Sequence, residues 1–225
     1  MKRLSGGERG VVQFLFDYVS PYSYLASTQV RALAARHARD VEPVPVLFAA
    51  MLNAVGTRGP GEVPAKREYM FRDVERIART LGVPIEPPAT HPFNPLTALR
   101  VTGGVPRMQE RWRLVEALFA AAWVRGLPID QPETVASIAS EVGAEGTDLL
   151  ARATSPESKE HLREVTQEAI ALGVFGVPTM LVDGEMFWGV DSLPLLDRFL
   201  GGERPLDAER LARWRALVPS ATRKA

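Results

Sequence analysis

The 225-residue sequence contains no cysteine. That excludes disulfides, thiolate-bound metals and any thiol chemistry carried by the chain itself. Histidine is scarce as well. His37, His91 and His161 are the only three, none stands in a tight ligand spacing, and no metal site is expected. Charge of one sign is not in excess, with 27 Lys and Arg against 27 Asp and Glu. No basic surplus points to nucleic acid and no acidic run points to disorder. No apolar run reaches membrane-spanning length. The basic, glycine-rich stretch Met1 to Gly10 is followed by a run holding Asp17, Ser20 and Pro21, unlike the core of a secretory signal. A cytoplasmic protein is expected. The remaining composition, 46% apolar and 24% charged, suits a globular chain with a sizeable core. At this length, one domain with an insertion or two small domains are the options.

The chain is organised around Val11 to Leu25. An apolar run, Val11 to Phe16, stops at a polar corner, Asp17-Tyr18-Val19-Ser20, and Pro21 follows. This predicts a buried strand, a short loop and a helix from about Tyr22 to His37. Its first turn holds Pro21, where a missing N–H costs nothing. Ser20 falls at or next to the N-cap. Its hydroxyl and the free N–H groups of that turn converge on one spot that favours an anion. A plain N-cap, worth about 1 kcal/mol, is the alternative role for Ser20.

Further on, Val41 to Phe48 is β-rich but interrupted by Pro43 and Pro45, which predicts an edge or irregular strand. Strand, helix and strand make a βαβ unit, usually right-handed and parallel. Met51 to Pro64 is rich in Gly and Pro and reads as a loop. Pro64 to Leu81 is amphipathic, with Met70, Val74, Ile77, Ala78 and Leu81 on one face and Gly82 as its stop. Pro84 to Pro95 is predicted extended. Helices are predicted over Leu96–Val101, Arg107–Arg125, Gln131–Val142 and Gly146–Ala151. Another opens at Ser155-Pro156-Glu157 with Leu162, Val165, Ala169 and Leu172 facing the core. Gly176 to Val182 reads as a strand, Asp183-Gly184 as a two-residue hairpin turn, Glu185 to Trp188 as the returning strand. A helix follows near Ser192 to Leu200, and the tail is partly helical around Leu206 to Leu217.

A βαβ half and a ββα half separated by helices predict an α/β, thioredoxin-like fold with an inserted all-helical domain. The expected boundaries are 11–48 and 154–200 for the thioredoxin-like part, 49–153 for the insertion and 201–225 for the tail. On these residues the chain resembles the DsbA-like branch of the thioredoxin superfamily. More narrowly it resembles the 2-hydroxychromene-2-carboxylate isomerases and the related kappa-class glutathione transferases. The carrying residues are Asp17, Ser20-Pro21-Tyr22-Ser23-Tyr24-Leu25, Pro64-Ala65-Lys66-Arg67, Phe93-Asn94-Pro95-Leu96, and Gly176-Val177-Pro178-Thr179 through Phe187-Trp188-Gly189-Val190-Asp191.

Redox members of the superfamily carry C-x-x-C where this chain has Ser20-x-x-Ser23, and serine cannot exchange disulfides. The resemblance implies that glutathione is the cofactor and that Ser20, the catalytic residue, holds its thiolate. It implies further that Val177 and Pro178 form a cis peptide facing that loop, with the Val177 backbone pairing to the cysteinyl part like an added strand. Trp188, Gly189, Val190 and Asp191 would complete the cofactor site, Asp191 taking the γ-glutamyl end. An N-cap is the alternative for Asp191. Relatives usually have Asn or Ser and then Arg where this chain has Val190 and Ser192, so a side-chain hydrogen bond is lost there. The substrate, a small aromatic carboxylate, would meet Tyr22 and, in the insertion, Thr57, Arg58, Lys66, His91 and Asn94. Tyr22, Tyr24 and Trp188 are candidate pocket walls, with core packing as the other option. The implied activity is isomerisation in aromatic-compound degradation by a homodimer. A kappa-class-like transferase and a non-catalytic thioredoxin-like binding module are the alternatives.

Overall fold

The computed structural model describes residue 4 and residues 10–203 and 206–221. Most of the basic first stretch and the last four positions of the tail lie outside the described residues. The centre is a four-stranded sheet in the order β2-β1-β3-β4. Strand β1 (Val11–Phe16) pairs parallel with β2 (Asp40–Pro45) and antiparallel with β3 (Thr179–Val182), which pairs antiparallel with β4 (Glu185–Trp188). Helix α1 (Pro21–Ala35) makes the crossover between β1 and β2. This is the thioredoxin-like order. The prolines of β2 are tolerated because β2 is an edge strand, with Pro43 opposite Phe14 and Pro45 opposite Phe16.

An apolar run without alternation implies burial on both faces, and β1 has that environment. Val12, Phe14 and Phe16 belong to a core with α1 and with α5 (Met108–Trp123). Leu15 faces the other way, into a smaller core with Met51, Val165, Ala169 and Val177. On the first face Phe16 packs against Phe14, Tyr18 and Phe119 with ring centroids 5.2–5.6 Å apart. The hairpin turn holds Asp183 at φ 48° and Gly184 at φ 84°, the two positive angles a type I′ turn requires.

Between the two halves lie α2 (Phe48–Val55), a 3-10 turn (Pro60–Glu62), α3 (Pro64–Leu81), α4 (Leu96–Gly103), α5, α6 (Pro132–Glu141), α7 (Gly146–Ala153) and α8 (Pro156–Ala171). The chain ends with α9 (Leu193–Leu200) and α10 (Ala208–Arg215). Two expectations need correction. The stretch from Met51 is not loop from its start, because α2 runs to Val55 and is closed by Gly56 in the left-handed conformation. Leu172 does not face the core. It is 43% exposed, as α8 has ended at Ala171 and the chain turns at Gly173.

The helical block and the sheet share one continuous core, in which Leu118, Val135, Ile138 and Leu149 join Phe14 and Phe16. The division at residues 49 and 153 is therefore a proposal about chain organisation. Polar ties cross it. The Tyr18 hydroxyl and Thr102 Oγ1 lie 2.7 Å apart, Trp123 Nε1 donates to Tyr18 O, and Trp112 Nε1 donates to Val41 O at 2.6 Å. The last bond is buried, so Trp112→Phe leaves the Val41 carbonyl unpaired. A loss of about 1–3 kcal/mol is expected in urea unfolding; a loss below ~0.5 kcal/mol contradicts this assignment.

Candidate active site

The loop after β1 is held by backbone geometry before any ligand is considered. Ser20 N–H donates to Asp17 O, and Ser20 is the N-cap of α1, its Oγ accepting the Ser23 N–H at 3.1 Å. That bond uses a lone pair and leaves the Ser20 O–H free to donate. Among the described residues neither this O–H nor the Tyr22 N–H has an acceptor. Capping and anion binding are thus compatible in one side chain. The free donors stand at the positive end of a 15-residue helix.

Asp17 makes the corner. It is fully buried, and its carboxylate accepts Val19 N–H at 3.1 Å and Phe48 N–H at 2.9 Å. Burial pushes its pKa up to about 7, opposed by those two hydrogen bonds. One side chain therefore ties the Ser20 loop to the first residue of α2.

Both features open on a cavity of about 750 Å³ with a mostly apolar wall, within the ordinary range for small-molecule sites. It brings together the predicted residues Ser20, Tyr22, Thr57, Arg58, His91, Val177, Pro178, Trp188, Gly189, Val190 and Asp191. Two predicted residues lie apart from it. Lys66 lines a neighbouring hollow of about 350 Å³ with Tyr22, Tyr69 and Met70. Asn94 Oδ1 accepts the Leu96 N–H at the start of α4. Of the candidate walls, Tyr22 and Trp188 line the cavity, whereas Tyr24 is core, its hydroxyl donating to Pro84 O.

The far wall starts at Gly176. The Val177–Pro178 peptide is cis. The Val177 N–H and C=O make no hydrogen bond among the described residues, because the β1–β3 ladder stops at Leu15 and Thr179. Phe175 packs tilted against Trp188 with ring centroids 4.8 Å apart, both partly exposed at the rim. Gly189 sits at φ 90°, and a Cβ there would lie 2.3 Å from Asp191 Oδ1. The positive φ, rather than the contact with that carboxylate oxygen, is what requires glycine there. Asp191 makes no capping bond to α9. The Ser192 hydroxyl donates to Gly189 O at 2.8 Å.

His91 follows from its surroundings. Its Nε2 lies 3.0 Å from Val19 O, a carbonyl that can only accept, so the proton sits on Nε2 and Nδ1 is bare. Burial, then the nearby Arg67 charge, outweigh that bond and hold its pKa below the usual histidine value. Nδ1 is enclosed against Gly61 and has no partner among the described residues. Patterning did not single out Asp17, Asp73, Phe93 or Phe175 as lining residues. Asp73, at the edge of the apolar stripe of α3, accepts from the Tyr22 hydroxyl at 2.9 Å.

Fold and loop together define a DsbA-like thioredoxin domain, and a family model of the DSBA-like thioredoxin domain matches residues 11–201. Within it, the chain belongs to the 2-hydroxychromene-2-carboxylate isomerase family, enzymes related to the kappa-class glutathione transferases. It is 33% identical to the 2-hydroxychromene-2-carboxylate isomerase of Sphingobium xenophagum, over 84% of this chain and 97% of that one. Glutathione S-transferase kappa 1 of Homo sapiens is 28% identical over 84% and 90%. A solved structure of a 2-hydroxychromene-2-carboxylate isomerase superposes with a TM-score of 0.79 at 29% identity, covering 92% of this chain and 98% of the other.

Proposed function

We propose that the cavity binds glutathione with its sulfur at Ser20, and that the enzyme uses it to isomerise 2-hydroxychromene-2-carboxylate or a close aromatic carboxylate. The single observation that carries this is the pair of unsatisfied donors, Ser20 O–H and Tyr22 N–H, at the α1 N-terminus and opening on the cavity that Val177, Pro178 and Asp191 also line. A chain without cysteine has an anion site where its redox relatives keep a thiolate. The unpaired Val177 backbone supports the reading, since it offers one donor and one acceptor to an extended peptide. So do the relatives, one group named for the isomerisation and the other for glutathione.

Glutathione, if held at Ser20 and the α1 N-terminus, would supply a thiolate nucleophile that is regenerated within the cycle. Ser20 and the α1 N-terminus would lower the pKa of that thiol, as they would for a protein cysteine. Phe48, Leu52 and Phe93 give the aromatic ring an apolar surface, and Arg58 is the lining cation for its carboxylate. His91, neutral and fixed by Val19 O, forms part of the wall without adding charge. Lys66 and Asn94 lie outside the main cavity and take no part in this reading.

Glutathione is expected to raise the thermal midpoint in a concentration-dependent way, and the chain is expected to convert 2-hydroxychromene-2-carboxylate to its ring-opened isomer, trans-2-hydroxybenzylidenepyruvate, only when glutathione is present. No midpoint shift together with no turnover sinks the proposal. A glutathione conjugate of a chlorinated aromatic as sole product would move the assignment to a kappa-type transferase.

A further inference from the structure

Two carbonyls of the loop between β1 and α1 are held from the helical insertion. Trp123 Nε1 donates to Tyr18 O at 2.9 Å, and His91 Nε2, which bears the ring's proton, donates to Val19 O at 3.0 Å. The two rings meet edge to face with centroids 5.7 Å apart. Among the described residues Val19 O has no other donor. That carbonyl belongs to the peptide unit whose nitrogen is Ser20 N, and the N–H of the same unit donates to Asp17 O at 3.1 Å. The Val19–Ser20 peptide is thus gripped on both sides, by Asp17 from the end of β1 and by His91 from 72 residues along the chain. His91 is itself pinned. Arg67 Nη2 donates to its carbonyl at 3.1 Å, and the Phe71 ring stands edge to face with the imidazole at 6.1 Å. On its remaining side the backbone of Gly61 is so close that a Cβ there would come within 2.9 Å of His91 Cε1.

We propose that His91 is a positioning residue for the thiolate site: its hydrogen bond to Val19 O fixes the Val19–Ser20 peptide, and with it the direction in which the Ser20 hydroxyl and the Tyr22 N–H meet an anion. The inference rests on the reading of the cavity as a glutathione site. The physical reason is that a donor stabilises a reacting anion fully only while it is already aimed at it. A peptide unit held at its N–H alone can rock. Rocking displaces the Ser20 side chain and moves a carbonyl dipole beside the anion, and both changes raise the pKa of a thiol bound there. His91 acts in this way as a neutral donor, through the backbone, and needs no contact with the sulfur.

Two substitutions separate the donor from the ring. His91→Leu removes the donor, whereas His91→Gln keeps an N–H near the position of Nε2 without an imidazole. The ultraviolet absorbance of bound thiolate is titrated against pH at saturating glutathione, and the imidazole nitrogen chemical shifts of the free wild-type chain report the His91 tautomer. The wild type is expected to carry the His91 proton on Nε2. His91→Leu is expected to bind glutathione still, to raise the thiolate midpoint by about one pH unit and to lower kcat about tenfold, with KM for the chromene carboxylate within about threefold. His91→Gln should recover at least half of the lost midpoint shift. Gly61→Ala, which leaves His91 in the chain and pushes its ring off Val19 O, takes the place of His91→Leu if that variant does not fold. A midpoint that the donor-removing variant leaves unchanged, one that His91→Gln raises as far as His91→Leu does, or a wild-type proton on Nδ1 overturns the inference while the glutathione site stands. Failure of glutathione to bind the wild type overturns both the inference and the reading it rests on.

Discussion

Ser20→Ala is expected to lower kcat/KM of the glutathione-dependent isomerisation by about a hundredfold or more, the usual effect of deleting one preorganised donor to a reacting anion. The reason is visible in the loop. Ser20 Oγ accepts from Ser23 N–H and lines the cavity, and its own O–H is free to donate, with no acceptor among the described residues. Without it, a bound thiol keeps only the Tyr22 N–H and the helix dipole, and its pKa rises toward the free value. The ultraviolet absorbance of bound thiolate, followed against pH, reads that rise directly. The same substitution removes the α1 cap, at about 1 kcal/mol, so a second variant must separate cap from donor. Ser20→Asp restores a capping oxygen but has no proton to give and repels the thiolate. Its stability is expected within ~0.5 kcal/mol of wild type with activity still lost. If the aspartate variant stays active, Ser20 is a cap alone.

What could be read in the sequence follows how local each cause is. The β1–loop–α1 unit is written in neighbouring residues: an apolar run interrupted only by Gln13, a serine and a proline. The structure places these elements at Val11–Phe16 and Pro21–Ala35. The Asp183-Gly184 turn is equally local. Helix α2 is different. Its N-cap is Leu47, with no capping side chain, and it continues a β-rich run, so nothing nearby marks its start. The missing signal lies 31 residues upstream, where Asp17 Oδ2 accepts Phe48 N–H, aided by Thr166 Oγ1 accepting Leu47 N–H from α8. Helix α2 is capped in space, and residue patterning sees only the chain. Asp73 escaped for a related reason. On α3 it stands three residues after Met70 and four before Ile77, at the edge of the apolar stripe, and only the return of Tyr22 across the cavity gives it a partner. The side of the cavity built from Gly176 to Asp191 could be named by family resemblance, but not its shape. The close approach of Gly189 to Asp191 depends on a backbone angle that no residue type announces in advance.

Asp17 should dominate the pH dependence of stability. Its carboxyl is fully buried, and its pKa is raised from 3.8 to about 7, chiefly by desolvation. Between these values the folded chain binds a proton that the unfolded chain has released, so stability falls as pH rises through that window. Below about pH 4 the penalty is absent; above the folded pKa it is complete. Roughly three pKa units at about 1.4 kcal/mol each make it on the order of 4 kcal/mol. Yet the side chain also satisfies two backbone N–H groups, Val19 and Phe48, that lie in the cavity wall. Asp17→Ala strands both, at about 1–3 kcal/mol each. These two costs oppose each other and separate with pH. Near pH 5 the carboxyl is largely neutral and still accepts, so Asp17→Ala is expected to destabilise by about 3 kcal/mol in urea unfolding. Near pH 8 the wild type already bears the buried charge, and the difference between the two proteins should shrink by more than half. Asp17→Asn abolishes the titration and turns an NH₂ toward one of the two N–H donors, so its profile should be flat with an intermediate loss. A wild-type stability that rises from about pH 5 to pH 8 relative to Asp17→Asn would mean that the corner aspartate is ionised at little cost, and that its two hydrogen bonds outweigh its burial.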